Sequence, residues 1–167
     1  EILQDLSFEE LESLVLSRGE KKYRAAQLWR GLMQGKKISD ITDLSKAFKS
    51  KLLERFEDEP VRIAETLTSS DGTEKYLFAL ADGNVIEGVF MRYKYGNTQC
   101  VSTQVGCRMN CAFCASGLNG LVRNLTAGEI LGQVLAVNAR AGGTPEKRAV
   151  TNVVLMGSGE PLDNYDN

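Results

Sequence analysis

Cys107, Cys111 and Cys114 follow one another as C-x3-C-x2-C in the run Gly106-Cys107-Arg108-Met109-Asn110-Cys111-Ala112-Phe113-Cys114. Three thiolates packed this tightly can hold three corners of a cubane [4Fe-4S] cluster and leave the fourth iron without a protein ligand. Such an iron can chelate a substrate or cofactor and pass it one electron. Zinc would call for a fourth Cys or His close by. The chain has no histidine, and Cys100, its only other cysteine, lies on the preceding predicted strand. Structural cysteines would not need such close spacing. Ligand count and spacing favour the open-iron cluster, with zinc and inert thiols as the alternatives. Phe113 either shields that centre or simply packs.

A second constellation is Met156-Gly157-Ser158-Gly159-Glu160-Pro161-Leu162, at the end of a predicted strand. In parallel sheets and barrels, ligands bind at the C-terminal ends of strands. Glycines there let backbone approach a ligand closely, and Glu160 can accept hydrogen bonds from a cationic amine.

The elements that must position these groups are legible in outline. Ser7-Phe8-Glu9-Glu10 is a capping box opening a helix with Leu6, Leu11, Leu14 and Val15 on its apolar side. A second helix is predicted over Tyr23–Met33, with Ala26, Leu28, Trp29 and Leu32 inward. A third runs from Ser45 to about Phe56, burying Phe48, Leu52 and Leu53, and Pro60 stops it. From Val61 the pattern turns to strands. Val61–Thr68, Lys75–Leu80 and Asn84–Tyr93, joined through Asp71-Gly72 and Asp82-Gly83, read as a β-meander. A further strand, Thr98–Val105, delivers the cysteine loop. A second capping box, Thr126-Ala127-Gly128-Glu129, opens a helix to about Ala141, and Thr151–Met156 is a short strand. Strand, loop, helix, strand is a βαβ unit, the start of a parallel α/β architecture. The pattern stops after its second strand, where further units are expected, so the chain reads as a fragment.

Composition narrows the class. With 167 residues, 43% hydrophobic and 25% charged, the chain can bury a real core. No apolar run approaches the ~18–20 residues that cross a bilayer, and no secretory leader is visible. A clustered set of cysteines suggests ligands in a reducing compartment rather than a disulfide framework. The lack of histidine removes imidazole bases and His-dependent triads. Net charge is −2, yet eleven basic residues face four acidic ones between Arg18 and Arg55, a local balance of +7. That suits phosphate contacts, although charge runs are usually solvated faces.

C-x3-C-x2-C followed by a Gly-Glu-Pro strand end resembles the radical S-adenosylmethionine enzymes. More narrowly, Gln99-Cys100-Val101-Ser102-Thr103-Gln104-Val105-Gly106-Cys107, Arg123-Asn124-Leu125, Asn152-Val153-Val154-Leu155-Met156-Gly157 and Gly159-Glu160-Pro161-Leu162 resemble the RlmN family. Its members are dual-specificity methyltransferases that make 2-methyladenosine in 23S rRNA and tRNA through a methyl-cysteine.

The resemblance implies the first part of a radical S-adenosylmethionine β/α barrel, residues 96–167. A small helical RNA-binding domain, 1–57, and a β-meander, 58–95, would precede it. Cys107, Cys111 and Cys114 would bind the [4Fe-4S] cluster, and Gly159 and Glu160 would contact S-adenosyl-L-methionine. Glu87 would accept a proton; on its residues alone it is an exposed strand carboxylate. Cys100, otherwise a small buried hydrophobe, would resolve a protein–RNA adduct by a transient disulfide. The family's methyl-carrying cysteine lies far towards the C-terminus, outside these residues, so the chain alone should be inactive.

Partners would be 23S rRNA, tRNA and an external electron donor, for a cytoplasmic monomer away from membranes. Ser158 departs from the hydrophobic residue common in relatives. A Cfr-type enzyme methylating adenosine C8 is the near alternative, and Pro161 favours the RlmN side. A non-catalytic RNA-binding or metal-structural module is the distant one.

Overall fold

The computed structural model describes Glu1–Asn167 as a mixed α/β chain with two hydrophobic cores. Helices α1 (Phe8–Ser17), α2 (Tyr23–Met33) and α3 (Lys46–Leu53) enclose the first core, built on Leu11, Leu28, Phe48 and Leu52. The capping box of α1 forms in full: the Ser7 hydroxyl accepts from Glu10 N at 3.2 Å, and Glu10 Oε2 accepts from Ser7 N at 2.8 Å. Two inward assignments and one helix end need correction. In α2 the buried alanine is Ala25, and Ala26 is exposed, because Ala25, Leu28 and Leu32 fall on one helical stripe. In α3 the chain turns out at Leu53, which is exposed. The helix ends there, seven residues before Pro60, and Phe56 returns to the core from the following turn.

Strands β1 (Val61–Thr68), β2 (Glu74–Leu80), β3 (Val85–Tyr93) and β4 (Gly96–Cys100) form an antiparallel succession, and β7 (Asn152–Val154) adds parallel to β4. Meander and α/β segment thus share one five-stranded sheet. Helix α4 (Ala127–Arg140) crosses between β4 and β7, its capping box at Thr126 and Glu129 intact. It covers the face carrying Tyr76, Phe78, Ile86 and Phe90, where Val137 joins the second core.

The predicted strand Thr98–Val105 is two strands. β4 ends at Cys100, and β5 (Gln104–Gly106) pairs instead with β6 (Leu121–Asn124) in a separate hairpin. The reason is a side chain: Gln133 of α4 takes both main-chain groups of Ser102, accepting from its N–H at 2.9 Å and donating to its carbonyl at 2.9 Å. A residue so engaged cannot serve a regular ladder on both sides.

Arg123 ties the hairpin to the rest. Its guanidinium donates to both Glu129 oxygens, at 2.7 and 2.8 Å, and to Asp82 in the β2–β3 turn at 2.7 Å. It thereby holds the Asp82 carboxyl down at about 2. No helix is long and apolar enough to cross a membrane.

Candidate cofactor and metal site

The three-cysteine loop is the connection of the β5–β6 hairpin. Gly106 enters it with φ +74°, and the next amide, Cys107 N–H, donates to the Gly120 carbonyl at 3.1 Å, closing the loop at its base. Cys107 is buried there, whereas Cys111 and Cys114 are exposed. Asn110 adopts φ 51°, a left-handed conformation that asparagine tolerates. Cys114 N–H bonds the Cys111 carbonyl at 3.0 Å, and hydrogen bonds from Ser116, its side chain first, lower the Cys114 thiol from its ordinary value. One loop therefore carries all three thiols, but no three Cys, Asp or Glu side chains converge as ligands of a single ion. In kind and number, three thiolates and no imidazole match an iron–sulfur cluster with one open iron better than closed tetrahedral zinc.

The Gly157–Pro161 segment is held against the residues that lead into this loop. Ser158 N donates to the Ser102 hydroxyl at 2.9 Å, Thr103 N to the Ser158 carbonyl at 2.9 Å, and Glu160 N to Gln104 Oε1 at 2.9 Å. Gly159 has φ +104°, and a Cβ there would lie 2.6 Å from Gln104 Cβ. Only glycine lets the backbone come so near. Glu160 Oε1 accepts from Leu162 N at 3.0 Å, capping the short turn Pro161–Asn164. Beyond it, Asp163 meets Arg108 of the cysteine loop in an ion pair and accepts from Gln104 Nε2 at 2.9 Å. Those two donors, Arg108 first, hold its carboxyl below the usual range. Asn164 donates to the Thr103 and Leu125 carbonyls at 2.8 and 2.9 Å.

Glu87 and Cys100 stand on the same sheet face. Val89 lies opposite Cys100 in the β3–β4 register, and Glu87 is two residues from Val89. That face is turned away from α4. Glu87 is exposed and paired with Lys75 at 3.0 Å, while its carbonyl accepts from the Ser102 hydroxyl at 2.6 Å. Cys100 is half-buried, and burial pushes its thiol up against the opposing pull of a hydrogen bond from Met156 N–H. All four cysteines are free, so the disulfide expected of Cys100 is not present.

Sequence reasoning passed over the residues that hold the two loops together: Gln99, Ser102, Gln104 and Gln133, all fully buried, with Asp163 and Asn164. The available signal was the polar run Gln99 to Gln104 in a segment otherwise patterned as a buried strand. It also missed how much of the basic helical charge is already spoken for. Lys22, Arg24, Lys37 and Arg55 pair with Glu12, Glu20, Glu59 and Glu1, leaving seven of the eleven cations without a carboxylate.

Comparison with known proteins agrees with this layout. Residues 2–57 match the family model described as ribosomal RNA large subunit methyltransferase N-terminal domain. A protein of Thermoanaerobacter sp. (strain X514) named "Probable dual-specificity RNA methyltransferase RlmN" is 48% identical over 168 residues, covering 98% of this chain and 47% of its own. A protein of Alkaliphilus metalliredigens with the same name is 50% identical over 98% of this chain and 46% of its own. The crystal structure of a radical SAM methyltransferase from Sphaerobacter thermophilus superposes with a TM-score of 0.90 at 40% identity, over 99% of this chain and 49% of that one. The chain thus spans about half the length of the relatives it matches. With agreement in sequence along almost all of its residues and in fold throughout, the chain belongs to the RlmN family.

Proposed function

We propose that this chain carries the cluster- and S-adenosylmethionine-binding part of a radical RNA methyltransferase that forms 2-methyladenosine in 23S rRNA and tRNA. The observation that carries the reading is one short segment, Ser102–Gln104. It runs directly into the three-thiol loop and also anchors Ser158 and Glu160 through three hydrogen bonds of 2.9 Å. A group held by the thiols and one held by the strand end would therefore face each other.

Cys107, Cys111 and Cys114 would hold a [4Fe-4S] cluster, the exposed part of the loop drawing Cys111 and Cys114 towards Cys107. Together the cluster and S-adenosylmethionine supply one-electron reduction and hydrogen-atom abstraction. The chain's residues do the rest. Gly159 lets the cofactor lie against main chain, and Glu160 accepts hydrogen bonds from its amino group. Glu87 takes a proton from the adenine carbon once substrate draws it from Lys75. Cys100 presents its thiol on the same face, where burial raises it from its ordinary value. The cations of the helical unit without a carboxylate would meet RNA phosphates. The methyl-carrying cysteine lies outside residues 1–167.

Equilibrium dialysis of the reconstituted chain against labelled S-adenosylmethionine tests this. Glu160→Ala is expected to weaken binding roughly 10- to 100-fold, the effect of removing a charge-assisted hydrogen bond. Unchanged affinity in that variant, or no binding by the parent chain, would overturn the assignment.

A further inference from the structure

We propose that the tip of the β3–β4 hairpin, with the loop that follows α4, is a stacking surface for unpaired RNA bases. The proposal rests on the RNA reading above and adds a contact remote from the cofactor site. Tyr93 and Tyr95 stack on each other at the tip, ring centroids 5.0 Å apart and planes 9° from parallel. They cover no core: Tyr93 is 44% and Tyr95 79% exposed. Each ring spends one face on the other; the Tyr93 hydroxyl also donates to Met91 Sδ at 3.2 Å, so the open aromatic surface is chiefly that of Tyr95. An open, rigid aromatic face accepts any base, since every base has a π-face of its own.

The charges around the pair have the sign that RNA requires. Lys94 lies between the two tyrosines, exposed and in no ion pair. Asn97 then bonds the tip to the segment leading into β7. Its Nδ2 donates to the Ala149 carbonyl at 2.9 Å, its N–H to Thr151 Oγ1 at 2.8 Å, and its carbonyl accepts from Thr151 N at 2.9 Å. These bonds tie to the tip the segment whose preceding residues, Lys147 and Arg148, are both exposed without a carboxylate partner, next to one exposed acid, Glu146. Arg92, by contrast, is neutralised: it lies over the Phe90 ring at 4.7 Å and binds Glu74 at 3.0 Å. Aromatic faces flanked by free cations fit bases joined by phosphates and suit an apolar protein partner poorly.

Strand β4 separates the tip from Cys100, roughly 3.3 Å for each of its residues. The surface therefore cannot take the base that reacts. It fits a neighbouring loop of the same RNA, and so would contribute to the choice and grip of substrate rather than to chemistry.

Fluorescence anisotropy with a labelled single-stranded RNA dodecamer, and with an RNA duplex of the same length, tests the proposal. Tyr95→Ala is expected to weaken single-strand binding about tenfold while Tyr95→Phe restores it, and duplex binding should change little. Lys147→Gln with Arg148→Gln should flatten the slope of log K against log salt by about 1.4, two phosphate contacts on a single strand. If the parent chain binds RNA and these variants bind as it does, the stacking surface is wrong and the RNA reading survives. If the parent binds neither RNA, both fall. Tyr95 is exposed enough that its loss leaves the fold intact, which circular dichroism would verify.

Discussion

Replacing Gln133 with leucine is expected to destabilise the chain by about 3 kcal/mol, because it orphans both main-chain groups of fully buried Ser102. Leucine fills a similar volume, so the loss isolates hydrogen bonding from packing. Each buried group left without a partner costs about 1–3 kcal/mol. Gln133 also accepts through its own carbonyl from Gln99 Nε2 at 2.9 Å, a main-chain contact that survives the substitution. The consequence extends to the site, since Ser102 holds Ser158 N and the Glu87 carbonyl with its hydroxyl. Urea denaturation followed by far-UV circular dichroism measures the loss. A change below about 1 kcal/mol would mean that Ser102 is satisfied in some other way.

Gly106→Ala is expected to be comparably severe, about 3 kcal/mol, and to act on the cysteine loop directly. At φ +74° an alanine pays about 1–2 kcal/mol for a left-handed backbone. Its Cβ would also be driven onto the Gly120 carbonyl oxygen, the acceptor that closes the loop through Cys107 N–H. Backbone cannot swing aside as a flexible side chain would, so the base of the hairpin has to open. Limited proteolysis should then cut between residues 107 and 120 faster than in the parent chain, with the denaturation midpoint lowered. Parent-like proteolysis and stability in Gly106→Ala would show that the loop base does not depend on this conformation.

What the sequence showed and what it hid divide along a physical line. Helix starts were legible because a capping box is local: Ser7 with Glu10 and Thr126 with Glu129 satisfy each other within one turn. Hairpins announced themselves through Asp71-Gly72 and Asp82-Gly83, where each aspartate side chain accepts from the amide two residues on. The break after Cys100 was not legible, since its cause is Gln133, thirty-one residues away from Ser102. Ala25 and Ala26 could not be told apart by composition, only by which one met the stripe of Leu28 and Leu32.

The site divides the same way. Ligand spacing within one loop is a local signal, so Cys107, Cys111 and Cys114 stood out at once. Glu87 did not: it is an exposed carboxylate paired with a lysine, and only its register with Cys100 sets it apart. Gln104 and Asp163, which bind the cysteine loop to the Gly-Glu-Pro turn, lie fifty-nine residues apart and share no motif.

The three-thiol loop is expected to hold an iron–sulfur cluster with one open iron. Anaerobic reconstitution of the chain with iron and sulfide tests it most directly, with metal and sulfide analysis and visible absorbance read together. The expected result is about four irons and four sulfides per chain with broad visible absorbance, lost when Cys107, Cys111 or Cys114 is changed to alanine and kept in Cys100→Ala. Zinc retained in place of iron, a colourless product, or a cluster that survives loss of a loop cysteine would contradict it.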